Sequence, residues 1–185
     1  GSWRVSTLRD PDRAVEVMGE IVAEMDKRIQ SLLAQRRDKF DEFTAEFPLL
    51  IVVMEEYPGT LSALQSLDQA NGKKVSDRAE TRVRAAIQRL ALEGAKVGVR
   101  LWLVAQRADA SLLTGVLRGQ LTQRFSFSQD DDGLRMLPEG ITPEQIEAAG
   151  AFLPGQGFAE IWGTLPLTQY RADLCTYDQL AGRYA

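Results

Sequence analysis

The sequence has 185 residues, 44% of them hydrophobic, with 22 basic and 26 acidic side chains. This length predicts one soluble domain, since such a chain buries roughly two-thirds of the surface that it exposes when unfolded. The absence of histidine and the single cysteine, Cys175, exclude Ser-His-Asp or Cys-His catalysis, histidine or thiolate zinc sites and an intrachain disulfide.

The net charge of −4 is unevenly distributed. Residues 71–128 carry 11 basic and 4 acidic side chains, a net charge of +7, whereas residues 41–70 and 129–185 each carry −6. Such a basic block is typical either of a polyanion site or of a solvated helix face, and composition alone leaves both interpretations open.

The first predicted element is a long helix over about residues 11–37. Asp10-Pro11 is a typical start, with an N-cap followed by proline at the first helical position. Apolar residues then recur at spacings of three and four, which predicts one buried stripe: Val15, Met18, Val22, Met25, Ile29 and Leu32.

A βαβ unit is predicted over residues 48–107. The apolar run at 49–54 does not alternate, which indicates a strand buried on both faces, and a turn sequence follows at 55–59. A helix over 77–94, with Val83, Ala86, Ile87 and Leu90 on its buried face, leads to a second buried strand at 101–105. This order predicts a parallel pair with a right-handed crossover.

The remaining elements are predicted to be short. They are a helix over 111–120, a third strand over 124–128, a chain break at 130–133, a helix over 143–149 capped by Thr142, and short β-like pieces between 151 and 174.

Polar side chains follow both strands of the βαβ unit. Parallel strands end at the same edge of a sheet, so Glu55, Glu56 and Gln106 are expected to emerge together where α/β sheets bind ligands. Adjacent carboxylates at the end of a buried strand repel each other and lose water unless a cation compensates, and Mg²⁺ with phosphate ligands would do so. An apolar strand ending in two acids is the Walker B pattern, in which one acid orients the magnesium shell and the other polarises the attacking water.

The sequence around these two strand ends resembles the motor domain of FtsK/SpoIIIE-type DNA translocases. The similarity rests on Glu55-Glu56-Tyr57 after its apolar run and Ala105-Gln106-Arg107 after the next, with further matches at 87–91, 113–118 and 122–127. Met25-Asp26-Lys27-Arg28 matches a family segment upstream. The details are most similar to actinobacterial, TraB-like plasmid-transfer proteins.

The resemblance implies a RecA-like α/β core, a parallel sheet flanked by helices, that forms a hexameric ring around double-stranded DNA and moves it with ATP and Mg²⁺. It assigns Glu55 to the magnesium-associated position, where the family usually has aspartate, Glu56 to the catalytic position and Gln106 to the sensor. It assigns Arg107 and Arg118 to loops that face the DNA, through sequence-independent phosphate contacts.

The sequence departs from the family pattern in two places. The phosphate loop Gly-x-x-x-x-Gly-Lys-(Ser/Thr) is absent, since Leu67 stands five positions before Gly72-Lys73. We therefore expect residues 3–185 to be the downstream part of a motor domain, divided at about 11–37, 48–107 and 108–185, and not to hydrolyse ATP alone. Ala95 occupies the position of the trans-acting arginine finger, and Arg89 or Lys96 could substitute.

Three functions remain open on this evidence. The first is a DNA translocase for chromosome segregation or conjugative plasmid transfer, and the second is a related secretion ATPase that moves polypeptide. The third is a catalytically idle interaction module. A cytoplasmic location is expected, with any membrane anchor in an upstream part of the parent protein.

Overall fold

A computed structural model describes residues 10–106, 113–127, 131–136, 140–176 and 178–179. The chain divides into two compact units, Gly1–Gln106 and Arg107–Ala185, each described here by itself. The first contains a two-stranded parallel sheet with long helices, and the second contains a three-stranded antiparallel sheet with short helices. The predicted α/β class is confirmed. No helix among the described residues has the length and hydropathy that crossing a bilayer requires.

Helix α1 spans Pro11–Ala34 and begins as predicted, because Asp10 Oδ1 accepts a hydrogen bond of 3.0 Å from the backbone N–H of Arg13. It ends three residues before the predicted boundary. Its buried face is rotated from the predicted stripe: Met18, Met25 and Leu32 are buried as expected, and Val15, Val22 and Ile29 are half-buried. The other buried residues are Val17, Ile21 and Arg28.

Strands β1 (Leu50–Met54) and β2 (Val99–Leu103) pair in parallel, from Leu50 opposite Val99 to Met54 opposite Leu103. The predicted parallel pair is confirmed, with β2 starting two residues earlier than expected. The prediction that both faces are buried is wrong, since Ile51, Val53 and Trp102 are 49%, 56% and 58% exposed. Helix α3 (Ala79–Glu93) packs against β2, while these three side chains remain on an exposed face.

The connection between the strands contains two helices. Helix α2 (Tyr57–Ala70) replaces the end of the predicted turn at 55–59, since proline, although typical of turns, is also tolerated in a first helical turn. Short 3₁₀ turns at Val75–Asp77 and Gly94–Val97 flank α3. Helix α3 buries Val83, Ile87 and Leu90 as predicted, with Ala86 half-buried.

The second unit is built on the sheet order β3-β4-β5, from Gln123–Phe127, Gln156–Ile161 and Leu165–Arg171, with antiparallel pairing throughout. The predicted third strand therefore pairs with β4. A small apolar core packs beneath this sheet: Leu134, Ile146, Ala149 and Phe158, bordered by Ile141, Phe152 and Leu167.

Short helices also belong to the described part of this unit. Helix α4 (Gly115–Gln120) is shorter than predicted, and residues 111–112 lie outside the described part. Helix α5 (Asp131–Met136) replaces most of the predicted chain break, since acidic residues suit a helix N-terminus. Helix α6 (Pro143–Ala149) has the predicted bounds, and Thr142 and Gln145 form a capping box.

Candidate active site at the carboxyl edge of the parallel sheet

The carboxyl ends of β1 and β2 are joined by two backbone hydrogen bonds to Val104. The N–H of Val104 donates to the carbonyl of Met54 at 3.0 Å, and the N–H of Tyr57 donates to the carbonyl of Val104 at 2.9 Å. Glu55 and Glu56 form the link between these two bonded positions, and Gln106 follows Val104 by two residues. The structure therefore brings the three predicted site residues to one edge of the sheet.

The two glutamates differ in exposure and in backbone conformation. Glu55 is exposed, whereas Glu56 is half-buried, so the predicted loss of water applies in part to Glu56 and not to Glu55. Glu56 lies in the left-handed region, with φ 54° and ψ 57°, which costs about 1–2 kcal/mol for a residue with a side chain. It is the N-cap of α2, but its side chain makes no capping hydrogen bond. Its carboxylate therefore accepts no hydrogen bond from the first backbone N–H groups of the helix.

A magnesium ion would have to share its ligands between protein and nucleotide at this edge. In the described part of the chain, no three acidic, cysteine or histidine side chains converge as a metal site. Mg²⁺ bound with a nucleotide often takes only one or two carboxylates, with phosphates and waters as its other ligands. The exposed Glu55 fits that limited role.

The phosphate-binding side of the site is not formed by Gly72-Lys73. Lys73 Nζ lies 3.7 Å from Oδ1 of the buried Asp68, whose other oxygen accepts the N–H of Glu80 at 3.0 Å. Burial raises the pKa of Asp68, but the N–H groups of Glu80 and Ala79 and the charge of Lys73 outweigh it and hold the pKa below its usual value. These contacts serve the start of α3.

The two arginine-finger candidates have different environments. Arg89 Nη2 lies 2.6 Å from Asp26 Oδ1 and 3.0 Å from Glu93 Oε2, and its Nη1 donates to Asp26 Oδ2 at 3.2 Å. The hydrogen bonds that Arg89 donates to Asp26 and, next in size, to Glu93 raise the pKa of Arg89, and the bond to Asp26 lowers the pKa of that carboxyl. Lys96 is exposed in the 3₁₀ turn after α3, beside Ala95.

The predicted DNA-contacting arginines belong to the second unit. Arg107 lies outside the described residues. Arg118 is half-buried in α4, and its carbonyl accepts a hydrogen bond of 2.9 Å from Arg124 Nη2. Their proposed role stays a prediction.

The basic block is partly neutralised by carboxylates from outside it. Asp26 pairs with Arg89, Asp68 with Lys73, and Glu160 with the buried Arg124 at 3.3 Å. These three acids lie before residue 71 or after residue 128, so the net charge of +7 overstates the charge that the folded block presents.

Sequence reasoning did not identify the structural role of Arg28. This side chain is 1% exposed, and its Nη1 donates to the carbonyls of Pro48 at 2.7 Å and Val97 at 3.1 Å, while Nε donates to Glu24 at 2.8 Å. It thus connects α1 to the segments that precede both strands. The available signal was its position between Met25 and Leu32 on the buried stripe.

The chain is similar in sequence to known proteins of two names. No family model matches the chain. It is 23% identical over 138 residues to DNA translocase FtsK of Staphylococcus aureus (strain Mu50 / ATCC 700699), covering 67% of this chain and 16% of that protein. It is 31% identical over 151 residues to a sporulation regulatory protein of Streptomyces azureus, covering 79% of this chain and 48% of that protein.

Solved structures show the same fold. The pCW3 conjugation coupling protein TcpA with ATPγS matches with a TM-score of 0.66 and 20% identity, over 91% of this chain and 46% of that chain. The expected resemblance to FtsK/SpoIIIE-type motors is confirmed. The cytoplasmic domain of the type VII secretion ATPase EccC of Thermomonospora curvata matches with a TM-score of 0.64 and 19% identity, over 94% of this chain and 19% of that chain. The chain spans about a sixth of the length of the FtsK relative.

Proposed function

We propose that this chain is part of an ATP-driven motor that moves double-stranded DNA. The observation that carries the proposal is the pair of backbone hydrogen bonds through Val104, because they put two acids and an amide at one sheet edge. The relatives named DNA translocase FtsK and the conjugation coupling protein TcpA support DNA as the substrate. Chromosome segregation and conjugative plasmid transfer are the two processes that these names suggest.

Glu55, Glu56 and Gln106 have separate roles in the proposed hydrolysis of ATP. Glu55 would hold the magnesium shell, and Glu56 would orient the attacking water and accept a proton from it. The Gln106 side chain would donate an amide N–H to the γ-phosphate, or form a hydrogen bond with that water. The phosphate loop is supplied by another part of a longer protein, so residues 1–185 alone do not turn over ATP.

The motor is proposed to act as a ring, with six subunits as the family resemblance implies. Arg107 and Arg118 would contact the phosphate backbone of DNA from the second unit. Lys96 is the better candidate for a trans-acting cation than Arg89, since Arg89 would first have to leave Asp26 and Glu93.

The experiment substitutes Glu56→Gln in a longer protein that includes the phosphate loop. Loss of the general base lowers DNA-stimulated kcat by about 100-fold or more and leaves ATP binding unchanged. Steady-state ATPase assays with and without DNA measure the first effect, and equilibrium binding of a labelled ATP analogue measures the second. Glu42→Gln, at an exposed acid before β1, is the matched control. Turnover in Glu56→Gln equal to that of the unsubstituted protein contradicts the assignment.

A secretion ATPase is the second candidate, favoured by the structural match to EccC. Its sheet-edge chemistry would be the same, but DNA would not stimulate hydrolysis. The same assays without and with DNA separate the two functions. An idle interaction module, the third possibility, would hydrolyse ATP in neither condition.

A further inference from the structure

Gly59 occupies a helical position that does not require glycine for its backbone. It is the third residue of α2, is exposed, and lies outside the left-handed region that favours glycine. Glycine is less favourable than alanine in a helix, because it loses more conformational freedom on folding. Helix formation therefore gives no reason for glycine here.

The space beside Gly59 is filled by the candidate catalytic side chain. A Cβ atom added at Gly59 would lie 2.9 Å from Glu56 Cγ and 3.9 Å from both Cδ and Oε1. Apart from the two adjacent residues and the backbone of the helix itself, these three atoms are its nearest neighbours, and all belong to Glu56. A carbon–carbon contact below 3.0 Å requires movement, and the flexible Glu56 side chain is the group that would move.

We propose that Gly59 is a positioning residue for Glu56. The Glu56 backbone is left-handed and its carboxylate makes no capping hydrogen bond, so the direction of the side chain depends on the room above the first turn of α2. A methyl group at residue 59 would displace the carboxylate from the attacking water without disturbing the helix. This inference rests on the proposed function, in which Glu56 orients that water.

The kinetic test uses Gly59→Ala in the longer protein that contains the phosphate loop. Misplacement of a catalytic group lowers kcat by about tenfold or more, and KM for ATP stays unchanged because nucleotide binding is not affected. Gly19→Ala is the matched control, since an added Cβ in the middle of α1 meets no atom within 4 Å. The double variant Gly59→Ala/Glu56→Gln should have the same kcat as Glu56→Gln alone, because Gly59 acts only through that carboxylate.

A second readout needs no ATP turnover. In residues 1–185, the ¹³C resonance of the Glu56 carboxyl should shift in Gly59→Ala and not in Gly19→Ala, while the Tm of Gly59→Ala is equal to or above that of the unsubstituted chain. An unmoved resonance, an unchanged kcat or a lowered Tm overturns the role of Gly59. Glu56→Gln with full activity instead overturns the proposed function, so the two failures are distinguishable.

Discussion

The polar groups at the two ends of the parallel strand pair differ in burial and in hydrogen bonding. At the amino end, the buried guanidinium of Arg28 donates to the carbonyls of Pro48 and Val97, and the N–H of Leu50 donates to the carbonyl of Gly98 at 2.8 Å. At the carboxyl end, the polar side chains of Glu55 and Gln106 are exposed, and Glu56 lies in an unfavourable backbone conformation.

The amino end of this small sheet therefore contributes to stability, whereas the carboxyl end carries the proposed catalytic residues. Buried polar groups stabilise a fold only when they are paired, and the amino end meets this condition across sequence distances of 20 and 69 residues. A general base must instead reach the water that it deprotonates, and the Glu56 side chain makes no capping hydrogen bond that would occupy it. Backbone strain at such a residue is typical of functional sites and is compensated by the surrounding structure.

The largest effect is expected at the amino end, for Arg28→Met. The substitution leaves the carbonyls of Pro48 and Val97 without their side-chain donor, so the free energy of unfolding should fall by about 3 kcal/mol. It also leaves Glu24 with Lys27 alone as its cationic partner. Urea titration followed through the amide signals of β1 and β2 measures the change.

Arg13→Met is the control for Arg28→Met on the same helix. Arg13 also pairs with two glutamates, Glu16 and Glu20, but it is exposed, and such pairs contribute at most about 1 kcal/mol. Equal effects of the two substitutions would contradict the special role of the amino end.

The sequence predicted the carboxyl end better than the amino end. Two apolar runs, each followed by polar residues, were enough to predict a parallel pair whose ends carry Glu55, Glu56 and Gln106. Arg28 could not be assigned this way, because its partners depend on how distant segments pack. Similarly, the non-alternating run at 49–54 shows that both faces are apolar, but it does not show which face a helix covers.

Short sequence motifs predicted where two helices begin, but they did not predict where α2 begins. Asp10 and Thr142 each cap a helix by bonding a backbone N–H three residues later, so a short motif was sufficient. At residues 55–59, proline and glycine suggested a turn, and the helix that begins at Tyr57 was missed. The left-handed conformation of Glu56 had no signal in the sequence, since this region usually selects glycine or asparagine.

A smaller effect, of opposite sign, is expected at the carboxyl end for Glu56→Gly. Glycine adopts a positive φ without the steric cost that glutamate incurs, so the chain should become more stable by about 1 kcal/mol, although proposed hydrolysis is lost. Urea titration of residues 1–185 measures the stability. Glu55→Gly is the control, because Glu55 does not have a positive φ and glycine there brings no such gain. A loss of stability in Glu56→Gly would contradict strain at this residue.

The smallest effect is expected for Arg89→Ala, which removes the ion pair between α3 and Asp26 of helix α1. Arg89 pairs with Asp26 two residues from Arg28, but both partners are partly exposed, so removal should cost less than about 1 kcal/mol at pH 7. Arg89 lowers the pKa of Asp26 in the folded chain, so the pair stabilises the fold above the unfolded pKa of Asp26. That contribution is lost as the pH falls through the folded pKa, and the unfolding curves of Arg89→Ala and the unsubstituted chain should then converge. A difference that persists when Asp26 is protonated would show that Arg89 also stabilises the chain through other contacts, such as its ion pair with Glu93 within α3.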